Sequence, residues 1–336
     1  MAARGFVVSR PYRDSNVGSN LSSLAGAAWL ARRLSRDLVV DWRGQSQLQD
    51  ESLNYFSEFF ATSGELVGVR THYAPVDGLD YEAAEADAAW LSPGEARAAS
   101  AGESTQYLVL QPYHGLDRLH PGAESERFRL LRDFYREIRP AARIEEEVAR
   151  WAVDHLDGAF VVGVNVRTGN GRYFARGMRY AARVDVSVFE NRERFLRVLE
   201  RTCRRCARRL PRPLRDDFRV FYATDSEPMS QLLAGLPNAV TRRRVFPPPG
   251  AGDLYAFADD PYGDRAAVED TLADMFLLAR CDALVYNSSL FNQYARVVTG
   301  WFSGNHIHFE TQFARGRARQ LGGIARRRLR PFRGSA

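Results

Sequence analysis

The sequence predicts an α/β protein of two Rossmann-like, doubly wound units facing across a cleft, and three observations carry that expectation. Short apolar runs alternate with helix-length amphipathic segments along most of the chain. Some of those runs, above all Phe160 to Arg167, are apolar with almost no interruption, as parallel strands covered on both faces must be. The alternation stops near residue 155 and then restarts, and 336 residues exceed what one hydrophobic core usually organises. The expected organisation is a first unit over 1–155, a second over 156–300, and an arginine-rich segment over 301–336, read as partly disordered.

In chain order, Gly5 to Ser9 reads as a strand, followed by a polar loop from Arg10 to Asn20. Ser19 or Asn20 is placed to cap a helix over Leu21 to Leu34, rich in Ala and Leu. Leu38 to Trp42 is the next strand, so the opening is a right-handed parallel unit. Leu66 to Val69 and Tyr107 to Leu110 are candidate strands on either side of an Ala/Glu/Asp-rich segment. Glu124 to Arg136 and Ile144 to His155 are helices, with Pro140 as the break. The second half reads as strand Phe160 to Arg167, helix Asn191 to Arg209, strand Phe218 to Asp225, helix Ser230 to Leu236 and strand Ala239 to Val245. Helix Asp264 to Arg280, strand Ala283 to Tyr286 and helix Leu290 to Val298 complete it.

Composition excludes several classes of function. No run approaches the roughly 20 apolar residues of a membrane span. Phe6-Val7-Val8 is too short for a signal peptide core, so a cytoplasmic protein is the simplest reading. The net charge is +6, yet all 47 basic residues are arginine, scattered in runs without interleaved aromatic residues. Runs such as Arg242-Arg243-Arg244 therefore read as solvated surface, and no nucleic-acid partner is expected. Cys203 and Cys206 share the apolar stripe of a helix and read as buried, inert thiols; no metal site is expected.

In open parallel sheets ligands bind beyond the carboxyl ends of the strands. Three such ends in the second half are polar: Asn165 to Gly171, Thr224-Asp225-Ser226 and Asn287-Ser288-Ser289. Arg167 leaves a buried strand for Thr168-Gly169-Asn170-Gly171, where glycines admit a ligand close to the backbone and a guanidinium can grip a phosphate. Ser288 and Ser289 precede a helix whose N-terminus suits an anion. Blander accounts stand beside these: Arg167 paired with a carboxylate at the domain seam, the Thr and Ser residues as helix caps, and Asp274 in a solvated position. The residues by themselves yield an anion-binding cleft.

At these positions the chain resembles the nodulation protein Z family of bacterial α-1,6-fucosyltransferases, and more broadly the fucosyltransferases that share an H-x-R motif. Val161 to Gly171 is similar to its I-G-I-H-V-R-H-G-N-G stretch and Leu38 to Gly44 to L-V-I-D-W-R-G. Tyr222 to Ser226 is similar to C-T-D-S, Asp274 to Cys281 to D-M-Y-L-L-G-R-C, and Ser288 to Phe291 with Tyr294 to Arg296 to T-S-A-F and Y-A-R. Residues 50 to 125 align poorly.

The resemblance implies a GT-B fold and an inverting, metal-independent glycosyltransferase, with a GDP-sugar donor, first of all GDP-fucose, in the second domain. A glycan or small-molecule acceptor would lie on the first. It implies that Arg167 is catalytic at the β-phosphate and that Asp274 meets guanine. Ser288 and Ser289 would meet the diphosphate, and Asn165, Thr168, Gly169, Asn170, Asp225 and Phe291 would line the nucleotide-sugar site. Asn165 stands where the family has histidine, Thr168 where it has a second basic residue, and Arg172 where it has an acidic one. Those differences leave nucleotide binding in place and bear on the donor sugar; the alternatives are another GDP-sugar, a sulfuryl group from a nucleotide donor, or a nucleotide-sugar-binding protein that lost catalysis. Asp14, Asp41 and Glu269 are the candidate general bases.

Overall fold

The computed structural model describes residues 5–12, 15–45, 48, 50–76, 89–90, 107–110, 115–120, 122–167, 192–208, 218–244, 246, 263–286, 291–300 and 306–308. Their strands form two sheets. The first runs in the order β3-β4-β2-β1-β6-β5, from β1 (Phe6–Ser9), β2 (Asp37–Val40), β3 (Glu65–Leu66), β4 (Val69–Tyr73), β5 (Ala89–Trp90) and β6 (Tyr107–Leu110). The second runs β11-β10-β7-β8-β9, from β7 (Phe160–Val166), β8 (Phe218–Thr224), β9 (Ala239–Val240), β10 (Ala283–Tyr286) and β11 (His306–His308). Every pairing is parallel except β3 with β4. In the second sheet the chain steps outward from β7 to β8 and β9, then returns to the other side for β10 and β11. The strand order thus reverses between β7 and β10, the place where such sheets take ligands.

Between β1 and β2 runs α1 (Val17–Leu34), which starts four residues earlier than its sequence suggests. Asn16 is the cap: its side-chain oxygen accepts from the Ser19 backbone N–H at 2.9 Å and from the Ser19 hydroxyl at 3.1 Å. Ser19 and Asn20 are therefore inside the helix, and both are buried. The segment read as one strand at Leu66 to Val69 is a hairpin, because Val67 and Gly68 have φ of 47° and 77° and turn the chain back. The Glu137 carboxylate accepts from the Val67 N–H at 2.6 Å and holds that turn. Short elements also went unread: α2 (Tyr55–Phe59), α3 (Leu116–Leu119), β5 and β11. The expected helices α4 (Glu124–Glu137) and α5 (Ala142–His155) are present, as are α6 (Arg192–Ala207), α8 (Gly263–Leu278) and α9 (Phe291–Val298). Their ends lie within about two residues of the expectation. Helix α7 (Glu227–Leu233) starts three residues early, directly after β8. Beyond Val240 the chain leaves the sheet, so the last strand of that group is much shorter than expected.

Strand β7 is buried along both faces. Val162, Val164 and Val166 pack with Phe195, Leu199, Cys203 and Cys206 of α6, so the cysteine pair is core and burial pushes the Cys203 thiol up. On the other face lies α8, close enough that Gly163 has no room for a side chain. A β-carbon there would stand 2.8 Å from Leu284 Cδ2, 3.0 Å from Cys281 Sγ and 3.1 Å from Leu278 Cδ2. We expect Gly163→Val to lower unfolding free energy by roughly 1–3 kcal/mol, read as a lower urea midpoint at unchanged m-value, although valine is the better strand former.

One apolar core continues from the first sheet into the second half. Phe60 meets Phe276 of α8 at a ring distance of 6.4 Å, and Tyr135 of α4 meets Tyr294 of α9 at 5.5 Å. Tyr294 donates its hydroxyl to the Ile138 carbonyl at 3.2 Å, so α9 packs on α1 and α4. The carboxyl ends of both sheets converge on α8. Asn54 closes the first sheet, its amide donating to the Val40 and Ala74 carbonyls at 2.7 and 2.9 Å. Just beyond, Glu58 of α2 accepts from Arg265 at 2.9 Å, while Arg143 joins the Glu58 carbonyl to Glu269, both at 2.7 Å. Further along α8, Asp270 and Asp274 receive two arginines that leave the second sheet.

Candidate active site at the ends of the second sheet

Arg167 follows the last residue of β7, and Asp225 follows the last residue of the neighbouring β8. Parallel pairing of Val166 with Thr224 sets the two side by side, and Arg167 Nε lies 3.6 Å from Asp225 Oδ2. This carboxylate thus follows the next strand of the same sheet. Their side chains remain 27% and 24% exposed, so the pair sits on a rim where such a bridge is worth little and positions more than it stabilises. Ser226 occupies the cap position of α7 without a side-chain cap hydrogen bond, so the capping account explains its place only in part.

Two residues before Arg167, Asn165 is 5% exposed. Its amide nitrogen donates to the Ala223 carbonyl at 3.4 Å, and its Oδ1 is buried with no hydrogen-bond partner among the described residues. Thr224 Oγ1 is likewise buried and without a hydrogen-bond partner among the described residues. Such atoms carry a desolvation penalty of roughly 1–3 kcal/mol each, so their presence at a strand end calls for an explanation.

Asp274 is not solvated; it is 1% exposed, on the face of α8 turned toward the sheet. Arg244 donates from Nη1 to Asp274 Oδ2 at 2.6 Å and to the Thr224 carbonyl at 2.7 Å, tying helix to strand end. Arg242 donates to Asp270 at 3.2 Å, pairs with Glu147 of α5, and lies 3.8 Å from Asp274 Oδ1. Burial raises the Asp274 pKa to about 6, against the lowering pull of Arg244 and Arg242. The arginine run expected on a solvated surface is therefore split. Arg243 is exposed, whereas the side chains of Arg242 and Arg244 keep only 5% and 8% of their surface. Two-residue alternation in the extended chain after β9 turns both inward. That alternation was readable in advance; the buried carboxylates that receive the arginines lie about thirty residues on and were not.

At the end of the first sheet, Asp41 is 1% exposed and held by two arginines. Arg43 donates to its two oxygens at 2.8 and 3.1 Å, and Arg10 donates to Oδ2 at 3.0 Å through Nε. Burial acts to raise its pKa, but the hydrogen bonds and charges of Arg43 and Arg10 outweigh it and hold the carboxyl below its ordinary value. A carboxylate so neutralised is a weak proton acceptor. Glu269 is likewise engaged, by Arg143 at 2.7 Å and Arg265 at 3.5 Å. Asp14, the third candidate base, lies outside the described residues, as do Thr168, Gly169, Asn170, Arg172, Ser288, Ser289 and the tail after residue 308. Phe291 opens α9 and is partly buried. The structure thus brings Asn165, Arg167, Asp225 and Asp274 to one end of the second sheet and adds Arg242 and Arg244. Among the described residues no group of three His, Cys, Asp or Glu side chains is placed to hold a metal ion. No described helix is long and apolar enough to cross a membrane.

A family model described as Nodulation protein Z (NodZ) matches residues 3–106 and 126–316. The match runs through most of the stretch where poor alignment was expected and breaks only between residues 106 and 126. Nodulation protein Z of Azorhizobium caulinodans is 27% identical over 303 residues, covering 83% of this chain and 84% of that protein. Nodulation protein Z of Bradyrhizobium diazoefficiens is 27% identical over 311 residues, covering 87% and 78%. Among solved structures, NodZ α-1,6-fucosyltransferase soaked with GDP-fucose matches with a TM-score of 0.59 at 21% identity, over 88% of this chain and 92% of that one. A variant of Arabidopsis thaliana FUT1 in complex with GDP matches with a TM-score of 0.51 at 14% identity, over 88% and 69%. At such identities the likeness speaks for the fold, which is the expected GT-B arrangement of two parallel-sheet units.

Proposed function

The chain belongs to the nodulation protein Z family, and from that premise we propose that it transfers L-fucose from GDP-fucose to a hydroxyl of a glycan or small-molecule glycoside. The reading carries inversion at the anomeric carbon and needs no metal. The observation that supports it most is Arg167, at the carboxyl end of the central strand of the second sheet, in the family's H-x-R position and with its side chain partly in solvent. The relatives bear names or complexes that concern fucosyl transfer and GDP-fucose or GDP.

In this reading the acceptor oxygen attacks the anomeric carbon from the face opposite the diphosphate. The bond from that carbon to the β-phosphate oxygen breaks, and its electron pair leaves with GDP. Charge gathers on the departing oxygen, where Arg167 offers a fixed guanidinium. The acceptor proton passes late to solvent or to a base, and neither Asp41 nor Glu269, each held by two arginines, suits that role. Most of the catalytic assistance then falls on the leaving group. Residues 156–300 would hold the donor, with Asn165, Thr168, Gly169, Asn170, Asp225, Asp274, Ser288, Ser289 and Phe291 around it. Residues 1–155 would present the acceptor, and the protein would act in the cytoplasm.

Asn165, in place of the family's histidine, favours one second reading: a different GDP-sugar in the same site. A donor panel separates the two. We expect GDP release from GDP-fucose to exceed that from GDP-mannose and other GDP-hexoses by at least tenfold, with EDTA making no difference. A preference for another GDP-sugar would move the donor assignment. Tight GDP binding with no release from any donor would show a binding protein.

A further inference from the structure

We propose that the outer face of α6 is a docking surface for an anionic lipid bilayer, held by a row of arginines, Arg197, Arg201, Arg205 and Arg208. The inference stands apart from the GDP-sugar reading and uses none of its residues.

The row follows from the helix period. Its members are spaced by three or four residues, so their side chains line one face over about 17 Å. All four are exposed, and Arg208 continues the helix, its N–H donating to the Arg204 carbonyl at 3.0 Å. The opposite face is given to the core, where Phe195, Leu199, Cys203 and Cys206 pack on β7.

The helix is charged beyond what the fold uses. Residues 192–208 hold seven arginines against two glutamates, whereas α4 sets four arginines against four carboxylates and α5 two against four. A chain-wide preference for arginine over lysine does not explain that contrast. Arg197 has Glu193 at 3.8 Å, but both are largely exposed and such a bridge is worth little. Arg204 differs: it meets Glu200 at 3.0 Å and lies over the Phe218 ring, so it belongs to the packing. Among the described residues Arg201, Arg205 and Arg208 have no ion-pair partner. Successive members of the row are like charges one turn apart, an arrangement that destabilises a helix. A polyanionic surface laid along the row relieves that repulsion.

Position in the fold permits the contact. Helix α6 lies between the parallel strands β7 and β8, so it runs back along the sheet and carries Arg208 away from Arg167 and Asp225. It covers the sheet face opposite α8, the helix whose Phe276 meets Phe60 of the first half. A flat surface can therefore meet the row while the strand-end site stays uncovered. Bilayer phosphates fit the row better than a nucleic acid does. The exposed positions of α6 are arginine and glutamate, with no aromatic side chain for a base to stack on. A single helical ridge meets a plane of headgroups without needing a groove, and with its apolar stripe buried α6 binds by charge, without insertion.

The test is flotation of the full chain with vesicles of phosphatidylcholine alone and with about 30% phosphatidylglycerol, at about 0.05 M and 0.5 M salt. Binding to the anionic vesicles at low salt should exceed binding to the neutral ones by at least about tenfold and be lost at high salt. The variant carrying Arg197→Gln, Arg201→Gln, Arg205→Gln and Arg208→Gln should bind at least about tenfold less, since each basic residue at such a surface changes partitioning on the order of fivefold. Lysine at the same four positions should keep binding within about threefold of wild type, because the attraction needs charge and no particular fork. If the glutamine variant does not fold by near-ultraviolet circular dichroism, Arg201→Gln with Arg205→Gln replaces it, and a loss of at least about fivefold supports the inference. Equal binding to both vesicles overturns it, as does a folded glutamine variant that floats like wild type. Binding to a short RNA or DNA duplex without binding to anionic vesicles also overturns it. GDP affinity, measured alongside by calorimetry, should be the same in wild type and variant, so failure of the donor reading shows separately.

Discussion

In Arg167→Ala, turnover of the wild-type donor should fall by about 10²–10³-fold, equivalent to roughly 3–4 kcal/mol of transition-state stabilisation. The size follows from where the charge is needed. A diphosphate bound to sugar carries less charge on its bridging oxygen than one that is departing, so a guanidinium there favours the transition state over the ground state. The loss should appear in kcat and in kcat/KM together, with little change in KM. Arg167→Lys keeps the charge but not the planar fork, and should recover only part of the rate. The bridge to Asp225 spans 3.6 Å on a partly exposed rim, so its removal should leave thermal stability almost unchanged. That separates a catalytic role from a structural one. A variant within tenfold of wild type, about 1.4 kcal/mol, would remove Arg167 from the chemistry.

The second large effect is on stability. Trp42→Ala should lower the unfolding free energy by about 3–5 kcal/mol, measured as a fall in urea midpoint at constant m-value. Trp42 is fully buried beyond the end of β2 and is ringed by aromatic side chains. Its ring centre lies 5.2 Å from that of Phe56, 6.1 Å from Tyr55 and 6.3 Å from Phe60. Its indole N–H donates to the Ser9 hydroxyl at 3.3 Å, which ties the ends of β1 and β2 together. Alanine leaves a cavity that Ser9 and the aromatic residues of 55–60 cannot all move to fill. Trp42→Phe keeps most of the packing and should cost less than half as much. A loss under about 1 kcal/mol for the alanine variant would mean the cluster relaxes freely.

What was legible in the sequence follows from what each segment buries. Strands β7, β8 and β10 announce themselves because both faces are covered, which forces unbroken apolar runs. The start of α1 was hidden for the opposite reason: its first turn buries Gly18, Ser19 and Asn20, so these residues looked like loop. The turn between β3 and β4 was hidden because Val67 takes a positive φ without the usual Asn-Gly signal. Arg167 was legible because a charge directly after a buried strand is unusual. Arg244 was not, since its environment is made by Asp274, thirty residues away on another element. Asp41 was legible as a candidate base in the second strand but not as a carboxylate held by two arginines, because Arg10 follows a different strand.

Helix α9 follows the second sheet in sequence but lays its aromatic face on α1 and α4, and Tyr294 holds the Ile138 carbonyl. The two halves are for that reason not interchangeable modules. A chimaera that took a relative's second half would have to bring the matching surfaces of α1 and α4 with it, or leave a naked aromatic seam on both pieces. Natural variation in the second half is confined in the same way, since α9 must keep the shape of a partner encoded about a hundred and fifty residues earlier.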